Sequence, residues 1–129
     1  MKIFGIGTDI VNIKRINNLL KKRGAGFKNR IFTKKEIFYC DKKKNSSSFF
    51  SKRFAAKEAF SKALGTGIRK GVNLKDIEIL NNSEGKPSIL LAKNLDTILK
   101  KKTKNKKYYI HLSLSDDKPW AQATVIISY

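Results

Sequence analysis

The chain has 129 residues, the size of one ordinary domain, so a second independently folding unit is not expected and residues 1–129 read as a single domain. With 40% hydrophobic and 10% aromatic residues it can fill a core, its 30% charged residues suit a soluble rather than a disordered protein, and no apolar run approaches the roughly 18 residues of a membrane helix. The formal charge of +19, from 29 Lys and Arg against 10 Asp and Glu, predicts attraction to polyanions such as nucleic acid, acidic proteins or phosphorylated ligands without choosing among them.

From Met1 the chain reaches Asp9 too early to build a signal peptide's apolar region, and no small-residue cleavage site follows. Ile3 to Ile6 reads as a short strand. Asn12 then caps a helix in which Ile13, Ile16 and Leu20 recur at helical spacing, and Gly24 is expected to end it. Its outer face carries Lys14, Arg15, Lys21, Lys22 and Arg23, either a solvated surface or a docking face for an acidic partner. Thr33 and Glu36 are spaced as a capping box for the next helix, with Phe32 and Ile37 as its hydrophobic staple, so structure alone explains Glu36. The polar stretch Lys42 to Ser48 reads as a surface loop.

A strong helix follows from Ser48 to Leu64, stopped by Gly65. Phe49, Ala56, Phe60 and Ala63 form one apolar stripe, while Phe50, Phe54, Glu58 and Lys62 line an adjacent face. After Gly71 the period changes to the alternation of a strand at Ile77 and Ile79, and Asn81 to Gly85 supply the turn of a hairpin. A helix with Leu95, Ile98 and Leu99 runs into the basic segment Lys100 to Lys107. Tyr108 to Ser115 and Trp120 to Ser128 are strands joined by a loop over Asp116 to Pro119. The fold class is α+β, with an antiparallel sheet packed against helices.

Few residues can carry chemistry. One Cys, Cys40, and one His cannot assemble a disulfide, a zinc pattern or a haem motif, and the setting they suggest is reducing and cytoplasmic. The cations divide into 24 Lys and 5 Arg beside 15 Ile and 10 Asn, a mixture that AT-rich codons produce without selection for binding. Basic residues outside the lysine runs therefore carry more information. In the first strand Gly5, Gly7 and Asp9 share one side, so either something bulky approaches Asp9 closely or the glycines mark a bulge and Asp9 helps cap the helix. Glu58 and Lys62 are spaced for a helix ion pair worth about 0.2 to 0.5 kcal/mol. With Arg53, Lys57 and Lys62 around it, however, Glu58 suits a place where Mg²⁺ meets phosphate oxygens, because Mg²⁺ takes one or two carboxylates and completes its shell with phosphates and water. Asp9 is the natural second carboxylate. His111 falls with Tyr109, Ser113 and Ser115 on the polar side of its strand, as a surface residue or a hydrogen-bonding partner for ligand phosphate.

Gly5 to Val11 with Arg15-Ile16, Phe32-Thr33 with Glu36, the run from Lys52 to Arg69, Gly85-Lys86-Pro87, and His111 to Asp116 follow one another at a characteristic order and spacing. In these motifs, and over nearly its whole length, the chain resembles the holo-[acyl-carrier-protein] synthases, the small bacterial 4'-phosphopantetheinyl transferases. The resemblance implies that the 4'-phosphopantetheine arm of coenzyme A is transferred to a serine of apo acyl carrier protein, releasing adenosine 3',5'-bisphosphate in support of fatty acid biosynthesis. By matching position, Asp9 and Glu58 are the expected Mg²⁺ ligands and Lys62 the cation on the pyrophosphate. Glu58, directly or through a bound water, is expected to take the serine proton. Arg53, Gly65, Thr66, Pro87 and His111 match positions lining the coenzyme A pocket.

The resemblance also implies a homotrimer with sites at subunit interfaces and a first helix that supplies basic residues to the acidic carrier protein. Arg15 matches, and Lys22 lies along the same face, so both are expected to meet that partner. The lysine runs Lys42 to Lys44 and Lys100 to Lys107 are not family motifs. Two other readings compete: a basic nucleic-acid-binding module, which leaves Asp9 and Glu58 unexplained and lacks exposed aromatic interleaving, and a trimeric scaffold that binds coenzyme A without turnover. Neither a membrane nor a nucleic acid is an expected partner.

Overall fold

The structure, a computed structural model, describes residues 1–69 and 71–129. Its organising element is α3 (Ser46–Leu64), which packs across β1 (Ile3–Asn12) and β5 (Trp120–Ser128). These strands and β4 (Tyr109–Asp117) form an antiparallel sheet in the order β1-β5-β4. The hairpin is a second, separate sheet: β2 (Ile77–Asn81) pairs with β3 (Pro87–Leu91). Three further helices, α1 (Ile13–Ile31), α2 (Lys34–Asp41) and α4 (Lys93–Lys102), complete the layers, and a 3-10 turn, Leu74–Asp76, leads into β2.

Strand alternation decides what α3 meets. Gly5, Gly7, Asp9 and Val11 lie on the inner side of β1, in register with Ile127, Val125, Ala123 and Ala121 of β5, all four of them buried. The expected short strand at Ile3 to Ile6 is therefore longer, because pairing with β5 continues to Asn12. The bulky group that approaches this strand is α3 itself: a Cβ on Gly5 would stand 2.0 Å from the Ala63 carbonyl oxygen. The alternative reading of the glycines holds only at Ile3/Gly5, where the register shifts, and Asn12 rather than Asp9 caps α1, its Oδ1 accepting from the Lys14 N–H at 2.9 Å.

The first helix does not end at Gly24. That residue adopts φ 51° and kinks α1, which resumes and runs to Ile31. Glycine in a helix costs about 1 kcal/mol, whereas burying a phenylalanine returns about 1.5 to 3 kcal/mol. Phe27, buried with its ring 6.4 Å from that of Phe32, holds the second segment down. The capping box of α2 is as read: Glu36 N–H donates to Thr33 Oγ1 and Thr33 N–H to Glu36 Oε1. The third helix begins at Ser46, shortening the expected loop. Phe50, not Phe49, is the fully buried aromatic of its first turns, since α3 is enclosed on nearly every side. The β4–β5 loop is likewise shorter, Lys118-Pro119, with a cis peptide between them.

Candidate active site

Asp9 sits half-buried on β1, beyond the two glycines that bring α3 close. Lys62, on the last turn of α3, reaches back across this contact. Its Nζ lies 3.0 Å from Asp9 Oδ1 and donates to the Thr8 carbonyl at 2.9 Å. Among the described residues its ion-pair partner is thus Asp9, not Glu58 four residues earlier on the helix. Burial raises the Glu58 carboxyl above its ordinary range, the negative charge of Asp9 raises it further, and Lys62 and Arg15 draw it back down. One electrostatic cluster therefore joins β1, α3 and α1. The sequence places Arg15 only on an outer helix face. Its field at Glu58 depends on how α1 leaves β1, for which no local motif exists.

Lys57 and Arg53 do not flank Glu58 as the sequence suggests. Successive helix residues turn by about 100°, so a face shared on paper divides in space. Lys57 is fully buried and pairs with Glu36 at 2.7 Å. Arg53 is also buried, its guanidinium bonded to Asn81 Oδ1 and 4.4 Å from the Tyr39 ring, with Nε lacking a partner among the described residues. Asn81 in turn pairs with Pro87 across the hairpin and donates to the Gly85 carbonyl at 2.9 Å. The structure so brings Arg53 and Pro87 together through a residue that the sequence marks only as part of a turn.

Gly65 closes α3 in the left-handed conformation at φ 89°, and the N–H of Gly67 returns to the Ser61 carbonyl at 3.1 Å. This wrap holds Thr66 just beyond Lys62, its Oγ1 donating to the Gly67 carbonyl at 2.8 Å. Gly65 and Thr66 thus follow Lys62 within one turn at the end of α3. His111 occupies the outer side of β4, opposite the side facing α3, with Nε2 3.0 Å from Ser128 Oγ. Arg15 and Lys22 are both exposed on α1.

Asp9 and Glu58 offer hard oxygen donors whose mutual repulsion a cation would relieve. Among the described residues no group of three or more His, Cys, Asp or Glu gathers. Two partly buried carboxylates fit Mg²⁺, which seldom uses a cage made wholly of protein and completes its shell with other oxygens, and do not fit a structural zinc.

Residues 5–125 match the 4'-phosphopantetheinyl transferase superfamily. The chain is 50% identical over 129 residues to the holo-[acyl-carrier-protein] synthase of Wolbachia pipientis, covering 97% of each. Its fold is similar to the crystal structure of holo-[acyl-carrier-protein] synthase from Neisseria meningitidis, with TM-score 0.87 and 38% identity over 99% of this chain and 100% of that one. It is also similar to the Helicobacter pylori holo-[acyl-carrier-protein] synthase solved in complex with coenzyme A, with TM-score 0.81 and 35% identity over 95% of this chain and 99% of that one.

Proposed function

The chain belongs to the 4'-phosphopantetheinyl transferase superfamily, among the holo-[acyl-carrier-protein] synthases, and from that premise we propose that it transfers the 4'-phosphopantetheine arm of coenzyme A to a serine of apo acyl carrier protein. The reaction releases adenosine 3',5'-bisphosphate, depends on Mg²⁺ and serves fatty acid biosynthesis in the cytoplasm. The observation that carries this reading is the cluster of Asp9, Glu58 and Lys62 where β1 crosses α3.

Each residue has work that its position supports. Asp9 and Glu58 would hold Mg²⁺, which when bound withdraws charge from the pyrophosphate oxygens. Lys62, half-exposed at the rim of the cluster, is placed to swing its ammonium from Asp9 toward those oxygens. Glu58 would accept the serine proton, directly or through a bound water. Gly65 and Thr66 would line the phosphate side of the pocket, and Arg53 with Pro87 its far wall at the β2–β3 hairpin.

His111 stands on the opposite side of the sheet from Asp9, so no single chain can use both. That same outer side leaves Ile6 and Ile10 more than 60% exposed, in register with Ile126 and Gln122. An open apolar sheet face seeks cover. We place the outer faces at the centre of a homotrimer in which His111 serves a neighbour's site, while Arg15 and Lys22 of α1 face the acidic carrier protein. The comparisons lend no support to the nucleic-acid-binding alternative. The unimpaired carboxylate cluster argues against a scaffold without turnover.

The decisive test is mass spectrometry of apo acyl carrier protein incubated with the chain, coenzyme A and Mg²⁺. The expected product carries one phosphopantetheine on its serine. Unmodified carrier protein under conditions where the chain is folded overturns the reading.

A further inference from the structure

Glu36 and Lys57 form a buried junction that the capping box does not explain. Both are enclosed, and the three N–H groups of the Lys57 ammonium meet three acceptors: Glu36 Oε1 at 2.7 Å, the Leu74 carbonyl at 3.0 Å and the Ile77 carbonyl. Glu36 is equally engaged. Its Oε1 also accepts from the Thr33 N–H at 2.9 Å, and its Oε2 from the Ile79 N–H at 3.2 Å. One pair of side chains thus ties α3 to the start of α2, to the 3-10 turn and to β2.

Stability is a poor reason for such a pair, because desolvating two charges commonly offsets their attraction and apolar substitutes are often as stable. What the junction does supply is a fixed rotation. On its other side α3 lies against Gly5 and Gly7, a contact that sets how near the helix comes to β1 but, being made of small groups, resists turning little. Gly5 meets Ala63 and Gly7 meets Ala59, so the axis of α3 runs nearly along β1. Lys57 precedes Glu58 directly, and rotating the helix about that axis swings Glu58 sideways across the strand and changes its approach to Asp9. The ammonium with three acceptors in three elements opposes that rotation.

We propose that Glu36 and Lys57 are positioning residues for the reaction: their junction fixes the rotation of α3 and thereby the separation of Glu58 from Asp9. The inference rests on the functional reading above for what the carboxylates do. It does not rest on it for how they are held. A supporting group one step removed from a metal-binding side chain is worth about 10- to 100-fold in affinity or rate, and a displacement of about 1 Å in a reacting constellation can cost on the order of 100-fold.

Lys57→Met alone would strand a buried carboxylate and could prevent folding, so the test uses Lys57→Met with Glu36→Gln, and separately Glu36→Asp, which keeps the charge on a shorter arm. Each is compared with wild type for thermal unfolding, for kcat and for the KM of coenzyme A and of the carrier protein. Binding of Mn²⁺ alone, followed by electron paramagnetic resonance, is measured on the same samples. For a variant folded at the assay temperature we expect kcat lowered at least about tenfold, both KM values changed less than about threefold, and Mn²⁺ affinity lowered about tenfold. Either variant, folded and with wild-type kcat and Mn²⁺ affinity, overturns the proposal, as does a loss confined to KM. Failure of wild type to modify the carrier protein would defeat the functional reading instead, and the Mn²⁺ comparison would still decide the role of the junction.

Discussion

Gly7 of β1 faces Ala59 of α3 so closely that a Cβ on the glycine would stand 1.9 Å from the Ala59 carbonyl oxygen. Its φ is not in the left-handed region, so the requirement for glycine is one of space alone. Because the obstructing atoms belong to a helix backbone, they cannot yield by changing rotamer. The contact that brings Glu58 and Lys62 to Asp9 is therefore made by the absence of side chains.

Gly7→Ala should push α3 off the sheet. The expected loss of stability is at least about 1 to 3 kcal/mol, the usual range for overpacking, with the urea midpoint falling accordingly. Transferase activity should fall further than the unfolded fraction explains. A variant of wild-type stability and rate would show that strand and helix are not so tightly apposed.

Chelation should abolish phosphopantetheine transfer, and added Mg²⁺ should restore it. Asp9→Ala and Glu58→Ala should each lose most activity, about 100-fold or more if positioning and charge neutralisation dominate, while retaining the circular dichroism of the folded chain. Undiminished turnover in excess EDTA would remove the metal from the scheme.

Glu58 also gives a pH dependence whose sign is fixed. Its folded-state pKa lies above the ordinary 4.5, mainly through burial and then through Asp9. The stability contributed by its proton is complete below the unfolded value and lost as pH rises through the higher folded one. At neutral pH without divalent cation the ionised group is a net cost. Glu58→Gln should then raise Tm relative to wild type at neutral pH, and the difference should shrink toward about pH 4. A Glu58→Gln variant less stable than wild type at neutral pH would contradict this environment.

The two basic clusters should behave differently. Lys22 is exposed on α1 and Lys100 is already paired with Asp96 at 2.8 Å. Only charges within about one Debye length of the docked partner, about 8 Å at physiological salt, escape strong screening. Lys22→Ala should raise the KM for carrier protein and slow its association, with little effect on coenzyme A, whereas neutralising Lys100 to Lys102 should do much less. Arg15→Ala should do more than Lys22→Ala, because its charge also acts on Glu58. Steady-state kinetics at two salt concentrations separate these cases. Equal losses from both clusters would indicate diffuse attraction.

If the outer sheet face is the trimer core, Ile6→Asp should yield monomers by sedimentation and abolish transfer. His111→Ala and Glu58→Gln chains, each inactive alone, should regain part of the activity when refolded together, since a mixed trimer contains sites joining an intact Glu58 to an intact His111. No recovery on mixing, or a fully active monomer, would reject the shared site.

Local signals in the chain settled the elements and their ends where a single residue type suffices: Thr33 with Glu36 for the start of α2, Gly65 for the end of α3, alternation for β4 and β5. They also marked Asp9, Glu58 and Lys62, whose types and spacing match a family pattern. They could not show that α1 resumes after Gly24, because the burial of Phe27 that holds it comes from contacts distant in the chain. Nor could they show that Lys57 and Arg53 face inward while Lys62 does not. All three are cations on one helix, and only packing against α2 and the β2–β3 hairpin turns two of them inward, where burial demands the partners Glu36 and Asn81. Alternation puts His111 on a polar strand face, yet which side of the sheet lies opposite Asp9 follows from the pairing of β1 and β4 with β5 alone. Residue chemistry is written locally, whereas the direction in which a charged side chain points is decided by which neighbours can compensate its loss of water.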